Sequence, residues 1–432
     1  PILKTRISTR SLESPVKLYI LSWLLLAGLV NAQPKDLTFS GFGTLGVISS
    51  DSKEYGYRTD LDQSDGSFNN TPYFASSSIL GLQFDYTLHA NTDLVFQSVY
   101  HNQDPITLDS TTRLAFARIA ANPSWSFRLG RTSLDLFLLT EYRDVGFGYI
   151  WAQTPSEVYG LMPYRYLDGA DITHSAHFNS INLRSKLFAG TTTSDLGSYQ
   201  GTESVKLDDI YGLSFTLETF QWSLQYRYTS ARVANESQSS QGLATGITAL
   251  AASVPGFDSI WPNSGDTIAR LRLKGNVANY TSLGGKYDWQ QWSALAEFSR
   301  IGLERNFNDV TAGYASLIFH SQSFSLYGIY AATHSDIFDM DTLGVDVATL
   351  STIPSALELY GAVDTQLNFY TTNQSTWSLG WRWNLTASLA LKCQWDRTRI
   401  KTQGGVLWLN KDFATQPKET VNTLFTNVSF IF

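Results

Sequence analysis

The sequence predicts an all-β protein, a transmembrane antiparallel β-barrel of about sixteen strands with short turns at one end and long loops at the other. Three observations lead to this prediction: strands that alternate between apolar and polar residues, a last strand that ends on an aromatic residue, and a low content of charge. Charged residues form only 16% of the chain and aromatic residues 14%, whereas soluble domains carry about 25% charged residues.

The final residues of the chain predict a membrane-facing strand. Leu424, Val428, Phe430 and Phe432 share one face of it, because successive side chains of a strand point to opposite faces. Soluble domains rarely end on such a strand, since termini usually fray. An aromatic last residue after alternating apolar residues resembles the assembly signal of Gram-negative outer-membrane barrels, and we assign this signal to Phe430 and Phe432. An ordinary edge strand is the alternative.

The start of the chain predicts export. Lys17 precedes a mostly apolar stretch, residues 18–30, and Val30 and Ala32 occupy the −3 and −1 positions of a cleavage site. The stretch is too short for a membrane-spanning helix and has the layout of a secretory signal peptide. We therefore expect cleavage after Ala32, with residues 33–432 forming one barrel domain. A retained anchor at the membrane surface is the alternative.

A regular alternation of apolar with small or polar residues supports the predicted strands. In residues 377–385, for example, Trp377, Leu379, Trp381 and Trp383 alternate with small or polar residues. Lipid outside a barrel and water inside it require this pattern, although a soluble β-sandwich shows it too. The export signal and the aromatic terminus favour the barrel.

Short turns give the strand count. We predict them near residues 89–92, 121–124, 179–180, 218–219, 288–291, 320–322 and 386–387. Seven hairpins, with strands at 37–49 and 420–432, make sixteen strands, and the weakest patterns are those of 277–287 and 309–319. The longer connections are residues 50–75, 102–112, 132–168, 193–206, 231–276, 302–308, 333–374 and 401–419. Short connections are expected on the periplasmic side and long ones outside the cell.

The balance of charge excludes some partners. Residues 33–432 carry 27 basic and 37 acidic side chains, because four of the 31 basic residues and one of the 38 acidic residues precede Gln33. A net acidic chain is not expected to bind nucleic acid or anionic lipid through its overall charge. Cys393 is the only cysteine, so no intrachain disulfide is possible.

Three short motifs resemble the 16-stranded trimeric porins of Gram-negative outer membranes. They are Phe-Ser-Gly-Phe-Gly-Thr-Leu-Gly at residues 39–46, Phe-Arg-Leu-Gly-Arg at residues 127–131, and the terminal Phe432. The resemblance implies a homotrimer in the cell outer membrane, surrounded by lipid and lipopolysaccharide and inserted by the barrel-assembly machinery. It also implies that the third loop, here residues 132–168, folds inward and narrows the channel. The Pro-Glu-Phe-Gly-Gly motif of general porins is absent, which indicates a divergent or substrate-selective porin.

Charged residues on the polar faces of the strands are predicted to line the channel. The inward basic residues are Arg128, Arg184, Lys186, Arg227, Lys286, Arg382 and Lys392, and the inward acidic residues are Asp85, Asp171, Glu297 and Asp396. Rings of Arg and Lys are usual in anion channels, so the excess of basic groups predicts a weak preference for anions. Alternatively, charges of both signs only keep the interior solvated.

Residues 132–168 are predicted to form the constriction. Their charged candidates are Asp135, Glu141, Arg143, Asp144 and Glu157. Arg113, Arg118 and Arg131 can provide a positive arc that faces the acidic ones. The aromatic residues of this loop either pack it against the wall or line a path for sugars or aromatic solutes.

Two motifs resemble cofactor or metal sites without meeting their structural requirements. Gly41, Gly43 and Gly46 match the dinucleotide-binding spacing, but that motif opens a helix and here the strand pattern continues. We expect these glycines to ease a subunit contact or a bend in the wall. His174 and His177 point to opposite faces of a strand, so we expect no metal chelation by this pair.

The acidic clusters at residues 60–65 and 336–341 lack the spacing of an EF-hand. We expect solvated loops there, with loose divalent-cation binding as the alternative.

The sequence therefore predicts a passive channel for small hydrophilic solutes, with no catalysis, cofactor or metal. It contains neither a Gly-x-Ser-x-Gly elbow nor a paired-histidine zinc motif. The alternative is a non-conducting barrel whose long loops, residues 231–276 and 333–374, act as an adhesin or a surface receptor. Conductance separates the two, because a plugged barrel passes no current.

Overall fold

Sixteen strands close into one antiparallel barrel, which confirms the predicted all-β fold. The computed structural model describes residues 36–103, 106–198, 201–303, 309–410 and 416–432. The predicted signal peptide therefore lies outside the described residues. In chain order the strands are β1 (Leu37–Ser50), β2 (Tyr55–Gly56), β3 (Ile79–His89), β4 (Thr92–His101), β5 (Thr112–Asn122), β6 (Trp125–Thr132), β7 (Leu167–Phe178), β8 (Ile181–Ser198), β9 (Gly201–Glu218), β10 (Trp222–Val233), β11 (Val277–Trp289), β12 (Trp292–Leu303), β13 (Val310–His320), β14 (Phe324–Ser335), β15 (Thr372–Asn384), β16 (Leu389–Gly405), β17 (Leu409–Asn410) and β18 (Glu419–Ile431).

All the strands except β2 and β17 belong to the barrel, and the seven predicted turns fall between its paired strands. Thus β3 ends at His89 and β4 begins at Thr92. Register places the polar side chains of neighbouring strands side by side. Arg227 of β10, for example, pairs with Ser214 of β9 and Ser282 of β11. Because one slipped residue would exchange the two faces of a strand, this register decides which side chains point inward.

The barrel closes where β1 pairs with β18. Gly41 and Phe432 exchange two backbone hydrogen bonds of 2.9 Å. A Cβ atom on Gly41 would lie 2.3 Å from the ring of Phe432, and one on Gly43 would lie 2.5 Å from the ring of Phe430. Gly41 and Gly43 therefore make room for the terminal aromatic rings, and the expected role of the glycines in a subunit contact or a wall bend stays a prediction. No helix follows Gly46, since β1 continues to Ser50.

Several longer connections meet at one end of the barrel, which we call the loop end. The strands β2 and β17 pair there, and the rings of Tyr57 and Trp408 pack with centroids 5.2 Å apart. The buried guanidinium of Arg58 donates hydrogen bonds to the carbonyl oxygens of Gln63 (3.1 Å) and Val406 (2.7 Å), and to that of Gly197 on β8. One side chain thus joins the first connection, the β8 hairpin and the last connection.

Two other long connections form a small helical cluster. Its helices are Gln238–Ser253, Phe257–Ile260, Ser264–Leu271, Val347–Leu350 and Ala356–Leu367. Ile247, Trp261, Leu350 and Val363 are buried in their shared core. The remaining helical turns are Leu108–Thr111, Thr140–Tyr142, Gly146–Gly148, Ser156–Tyr159 and Met340–Leu343.

Among the described residues, no helix has the length and apolar character needed to cross a membrane.

Candidate functional site

The connection between β6 and β7 crosses the interior of the barrel, and we call residues 133–166 the inward segment. Trp151 donates its indole N–H to Ser316 of β13 (3.0 Å). The carbonyl oxygen of Ala152 accepts a hydrogen bond from Asn427 of β18 (2.8 Å). These two strands are not neighbours, so only a chain inside the barrel can contact the same face of both.

Apolar packing holds the inward segment against one side of the wall. Phe137, Trp151 and Tyr159 are buried. The ring centroid of Phe137 lies 6.0 Å from that of Tyr280 on β11, and that of Trp151 lies 5.4 Å from that of Tyr314 on β13. Fully burying a side chain of this kind contributes roughly 1.5–3 kcal/mol, and a typical hydrogen bond about 1 kcal/mol. These aromatic residues therefore serve to attach the segment.

Asp135 links the start of the inward segment to three adjacent strands. Its carboxylate accepts hydrogen bonds from Arg227 Nε and Ser214 Oγ, both at 2.7 Å, and lies 3.3 Å from Lys186 Nζ. Burial raises the pKa of this carboxyl group, but Lys186 and Arg227 outweigh it and hold the pKa below its ordinary value. Asp135 is thus ionised at neutral pH, and its single negative charge is shared by two of the basic residues predicted to line the pore.

Lys392 and Arg382, also predicted to line the pore, bind the backbone of the inward segment. Lys392 donates to the carbonyl oxygens of Tyr149 (2.7 Å) and Trp151 (2.9 Å). Arg382 donates to those of Phe147 (2.8 Å) and Tyr149 (2.9 Å). Buried carbonyl groups need hydrogen-bond partners, and these two cations supply them.

Two buried glutamates complete the attachment. Glu157 of the inward segment accepts hydrogen bonds from Gln374 (2.8 Å) and Thr376 on β15. Glu297 of β12, predicted to face inward, accepts one from the hydroxyl of Tyr159 (3.0 Å). Thus a carboxyl group of the segment binds the wall, and a carboxyl group of the wall binds the segment.

A cluster of buried charges joins the inward segment to the first connection. Asp60 accepts hydrogen bonds from Arg143 (2.8 Å) and from Arg165. Arg165 also binds Asp144 (2.7 Å), and the Nε atom of Arg113 on β5 lies 3.6 Å from the same carboxylate. Burial raises the pKa of Asp144, but the nearby arginines outweigh burial and lower it to about 2. The expectation that Asp60 is a solvated loop residue is wrong, because it is 3% exposed and paired with two arginines.

Arg128 and Arg184 lie on wall that the inward segment leaves open. Arg128 forms an ion pair of 2.7 Å with Asp171, its neighbour on β7. Arg184 lies 3.8 Å from Glu141, and their side chains are 46% and 56% exposed. Of the seven basic residues predicted to face the channel, Arg184 and Lys286 therefore present about half of their side chains to water, and Lys286 lies 2.8 Å from Asp288.

Comparisons with known proteins agree with this architecture. No family model matches the chain, and no curated protein is similar to it. Solved structures do resemble it, among them the outer membrane channel DcaP of Acinetobacter baumannii, with 12% identity, a TM-score of 0.51, and coverage of 93% of this chain and 100% of that one. OmpF of Salmonella typhi has 10% identity, a TM-score of 0.52, and coverage of 92% and 97%. An anion-selective porin from Comamonas acidovorans has 12% identity, a TM-score of 0.50, and coverage of 92% and 99%.

The chain has the sixteen-stranded porin fold. At these identities the likeness establishes the fold alone.

Within this porin fold, one contact of the buried charge cluster was not predicted by any sequence motif. Asp60 and Arg165 contact one another although 105 residues separate them. Asp62, also buried, has a carboxylate oxygen 3.7 Å from His101 Nε2. The one sequence signal was an aspartate-rich first loop in a chain whose third loop carries arginines.

Another polar group inside the porin fold contains residue types found in hydrolases. Ser293 Oγ lies 2.8 Å from His320 Nε2. The carboxylate of Asp288, however, contacts Ser293 rather than the histidine, and His320 Nδ1 lies 3.2 Å from Ser325. A triad needs the acid on the second nitrogen of the histidine, so this arrangement does not form one. Among the described residues, no group of three or more His, Cys, Asp or Glu side chains is placed to hold a metal ion.

Proposed function

We propose that the protein is a passive outer-membrane diffusion channel for small hydrophilic solutes, with the inward segment as its constriction. The main support is that Arg184 and Glu141, both inside the barrel, keep about half of their side chains exposed. A packed interior would bury these charges, and burying an unpaired charge is very costly. The similarity to a solved outer membrane channel agrees with this proposal.

The channel is proposed to prefer anions weakly. Arg184 supports this preference, since its nearest carboxylate lies at 3.8 Å. Three further cations of the wall are paired: Arg118 and Arg128 with Asp93 and Asp171 at 2.7 Å, and Lys286 with Asp288 at 2.8 Å. They therefore add little net charge. One similar structure is an anion-selective porin.

We further propose export by the signal peptide, insertion by the barrel-assembly machinery, and a homotrimer surrounded by lipid and lipopolysaccharide. These proposals rest on the porin resemblance and on the outer surface of the barrel. Trp125, Trp289 and Trp292 lie beside short turns and are exposed on that surface, where barrels carry an aromatic girdle at the membrane interface. We propose no catalytic activity, cofactor or metal.

The second candidate function is a non-conducting surface receptor or adhesin. It is favoured by the helical cluster at the long connections, which has its own apolar core, and by the joining of three connections through Arg58. Loops that only connect strands do not need a core of this kind.

Single-channel recording of the full chain in a planar bilayer with a potassium chloride gradient tests the proposal. We expect stable conductance and a reversal potential of the sign for modest anion preference. Intact barrels that pass no current would favour the receptor function, and a reversal potential of the opposite sign would contradict the anion preference alone.

A further inference from the structure

A polar cleft at the loop end lies between the inward segment, the connection from β4 to β5, and the far part of β8. The charged and amide side chains that line it are Asp62, Gln103, Asp109, Arg113, Arg165 and Asp195. The cleft has a volume of about 70 Å³, which admits roughly five water molecules at about 10–15 Å³ each. The side chain of Asp109 is 74% exposed, so the cleft opens to solvent.

Several polar atoms around this cleft form no hydrogen bond with any described residue, although one of them, Arg113 Nε, lies 3.6 Å from Asp144 Oδ2. The atoms are Asp62 Oδ1, Gln103 Nε2, Arg113 Nε and Arg165 Nε, all buried and without a hydrogen bond within the part of the chain that the structure describes. Arg113 and Asp62 are themselves 5% and 7% exposed. Folded proteins satisfy most buried polar atoms. Four unsatisfied atoms on one small cleft therefore point to an occupant that supplies the missing partners.

The other polar atoms of Arg113, Arg165 and Gln103 are hydrogen-bonded, so the remaining N–H groups of these side chains are preorganised. Arg113 donates through its NH1 atom to the carbonyl oxygen of Ser110 (2.7 Å) and through NH2 to Gln103 Oε1 (3.2 Å). Arg165 uses its terminal nitrogens on Asp144 (2.7 Å) and on Asp60. Binding then costs little side-chain ordering, since the groups are already fixed.

The charges around the cleft define the chemistry of the occupant. Three free N–H groups, two of them on guanidinium ions, favour a carboxylate oxygen. The cleft also holds the carboxylates of Asp62 and Asp195, whereas that of Asp109 is paired with Arg131 at 2.9 Å. A simple anion would meet repulsion from the acids and a simple cation from the arginines, whereas a zwitterion satisfies both. We propose that this cleft binds the head group of a small α-amino acid.

In this arrangement the carboxylate of the solute accepts hydrogen bonds from Arg113 Nε, Arg165 Nε and Gln103 Nε2. The ammonium group donates to Asp62 Oδ1. The site rests on the proposed function, because it names a class of solute that the channel would gather at its mouth.

Equilibrium dialysis of radiolabelled glycine against the full-length protein in detergent tests the site. We expect saturable binding. Acetate and methylammonium, which carry only one of the two charges, should compete at least about tenfold less well, because each leaves charged groups of the cleft unpaired. The absence of saturable glycine binding, or competition by acetate equal to that by glycine, would overturn the proposal.

Variants locate the binding in this cleft. Gln103→Glu keeps the oxygen that accepts from Arg113 but replaces the free Nε2 donor by an acceptor, and it should weaken glycine binding about tenfold or more. Arg113→Gln should have a similar effect. Arg232→Gln also removes one cation, from an exposed pair with Asp209 elsewhere on the protein, and should leave glycine binding unchanged. Equal affinity in Gln103→Glu and Arg232→Gln would show that glycine binds elsewhere.

Conductance of the same preparations keeps the two proposals apart. A conducting protein that does not bind glycine contradicts the site alone. A protein that binds glycine in the cleft but passes no current contradicts the channel alone. Arg113 belongs to the buried charge cluster, so if Arg113→Gln does not fold, the comparison of Gln103→Glu with Arg232→Gln decides the matter.

Discussion

Arg227 on β10 donates a hydrogen bond of 2.7 Å from its Nε atom to Asp135 at the start of the inward segment. Lys186 approaches the same carboxylate from β8, and the rings of Phe137 and Trp151 pack against the wall beyond it. Charge and apolar packing therefore fix the same stretch of chain. We expect the inward segment to stay in place during conduction.

Asp135→Asn should destabilise the protein strongly, because it leaves two buried cations with only a neutral partner. Removing one member of a buried ion pair costs about 3–5 kcal/mol. Asp209→Asn, at the exposed pair with Arg232, should cost at most about 1 kcal/mol. The temperature at which the folded band is lost on unboiled gels measures both effects. Equal losses in the two variants would mean that Asp135 does not fasten the segment.

Stability should also depend on the protonation of Asp62. Burial, and after it the charge of Asp60, raises the pKa of Asp62 to about 7. A raised carboxyl pKa contributes stability that is complete below the ordinary value of about 4 and is lost as the pH rises through about 7. The charged or titratable groups around this carboxyl are Arg58, Asp60, His101, Arg113, Arg143 and Arg165.

Thermal denaturation at pH 5 and pH 8 measures this dependence. The unfolding temperature of the unmodified protein should be lower at pH 8 than at pH 5. The decrease should be smaller in Asp62→Asn. An equal fall would assign the pH dependence to another group.

Neutralising Arg128 and Arg184 together should move the reversal potential in a salt gradient toward cation preference. Both changes remove positive charge, and the first also frees the negative charge of Asp171. Adding Asp171→Asn should restore part of the preference. The effect should be larger at 0.1 M salt, where the Debye length is about 10 Å, than at 1 M, where it is about 3 Å. An unmoved potential would contradict the assignment of these residues to the conducting path.

Shortening the inward segment between Glu141 and Tyr159 should raise the conductance in molar salt, because the deletion removes chain from the lumen. Width acts on current at any salt concentration, which distinguishes this effect from that of charge. If a correctly folded deletion variant conducts like the parent, the narrowest point lies elsewhere.

Deleting Phe432 should lower the amount of folded barrel in the outer membrane. The deletion removes both the ring that lies over Gly41 and the two backbone hydrogen bonds between these residues. Phe432→Tyr keeps the ring and the backbone and should assemble at a nearly normal level. Fractionation followed by unboiled gel electrophoresis measures both, and normal assembly of the deletion variant would contradict the role of Phe432 as a signal.

The strand pattern was predictable wherever lipid and water meet opposite faces of the wall. The alternation of apolar and polar residues was weak at residues 309–319, and the packing of the barrel interior explains why. The inner faces of β13 and β14 carry Tyr314, Ile318, Tyr327 and Ile329, all buried. The inward segment covers them, so these strands are apolar on both faces and their alternation is lost.

The charged residues of the interior were predictable as a set but not in their pairing. Alternation indicated that Lys186, Arg227 and Lys392 point inward. It could not show that Asp135 and backbone carbonyl groups of a distant loop neutralise or bind them. Contacts between a loop and a wall depend on tertiary packing, which the local period of a strand does not contain. The helices of the long connections were missed as well.

The pairing of β1 with β18 has a consequence for biogenesis. Phe42 lies opposite Ile431 and Ser50 opposite Thr423, so the seam joins strands from the two extremes of the barrel domain. Contacts between residues so far apart in sequence form late, after the entropic cost of closing the ring has been met. Until then the incomplete sheet has two unpaired edges, which favour aggregation. We therefore expect the polypeptide to depend on chaperones from the time its first strand is synthesised until its last strand reaches the membrane.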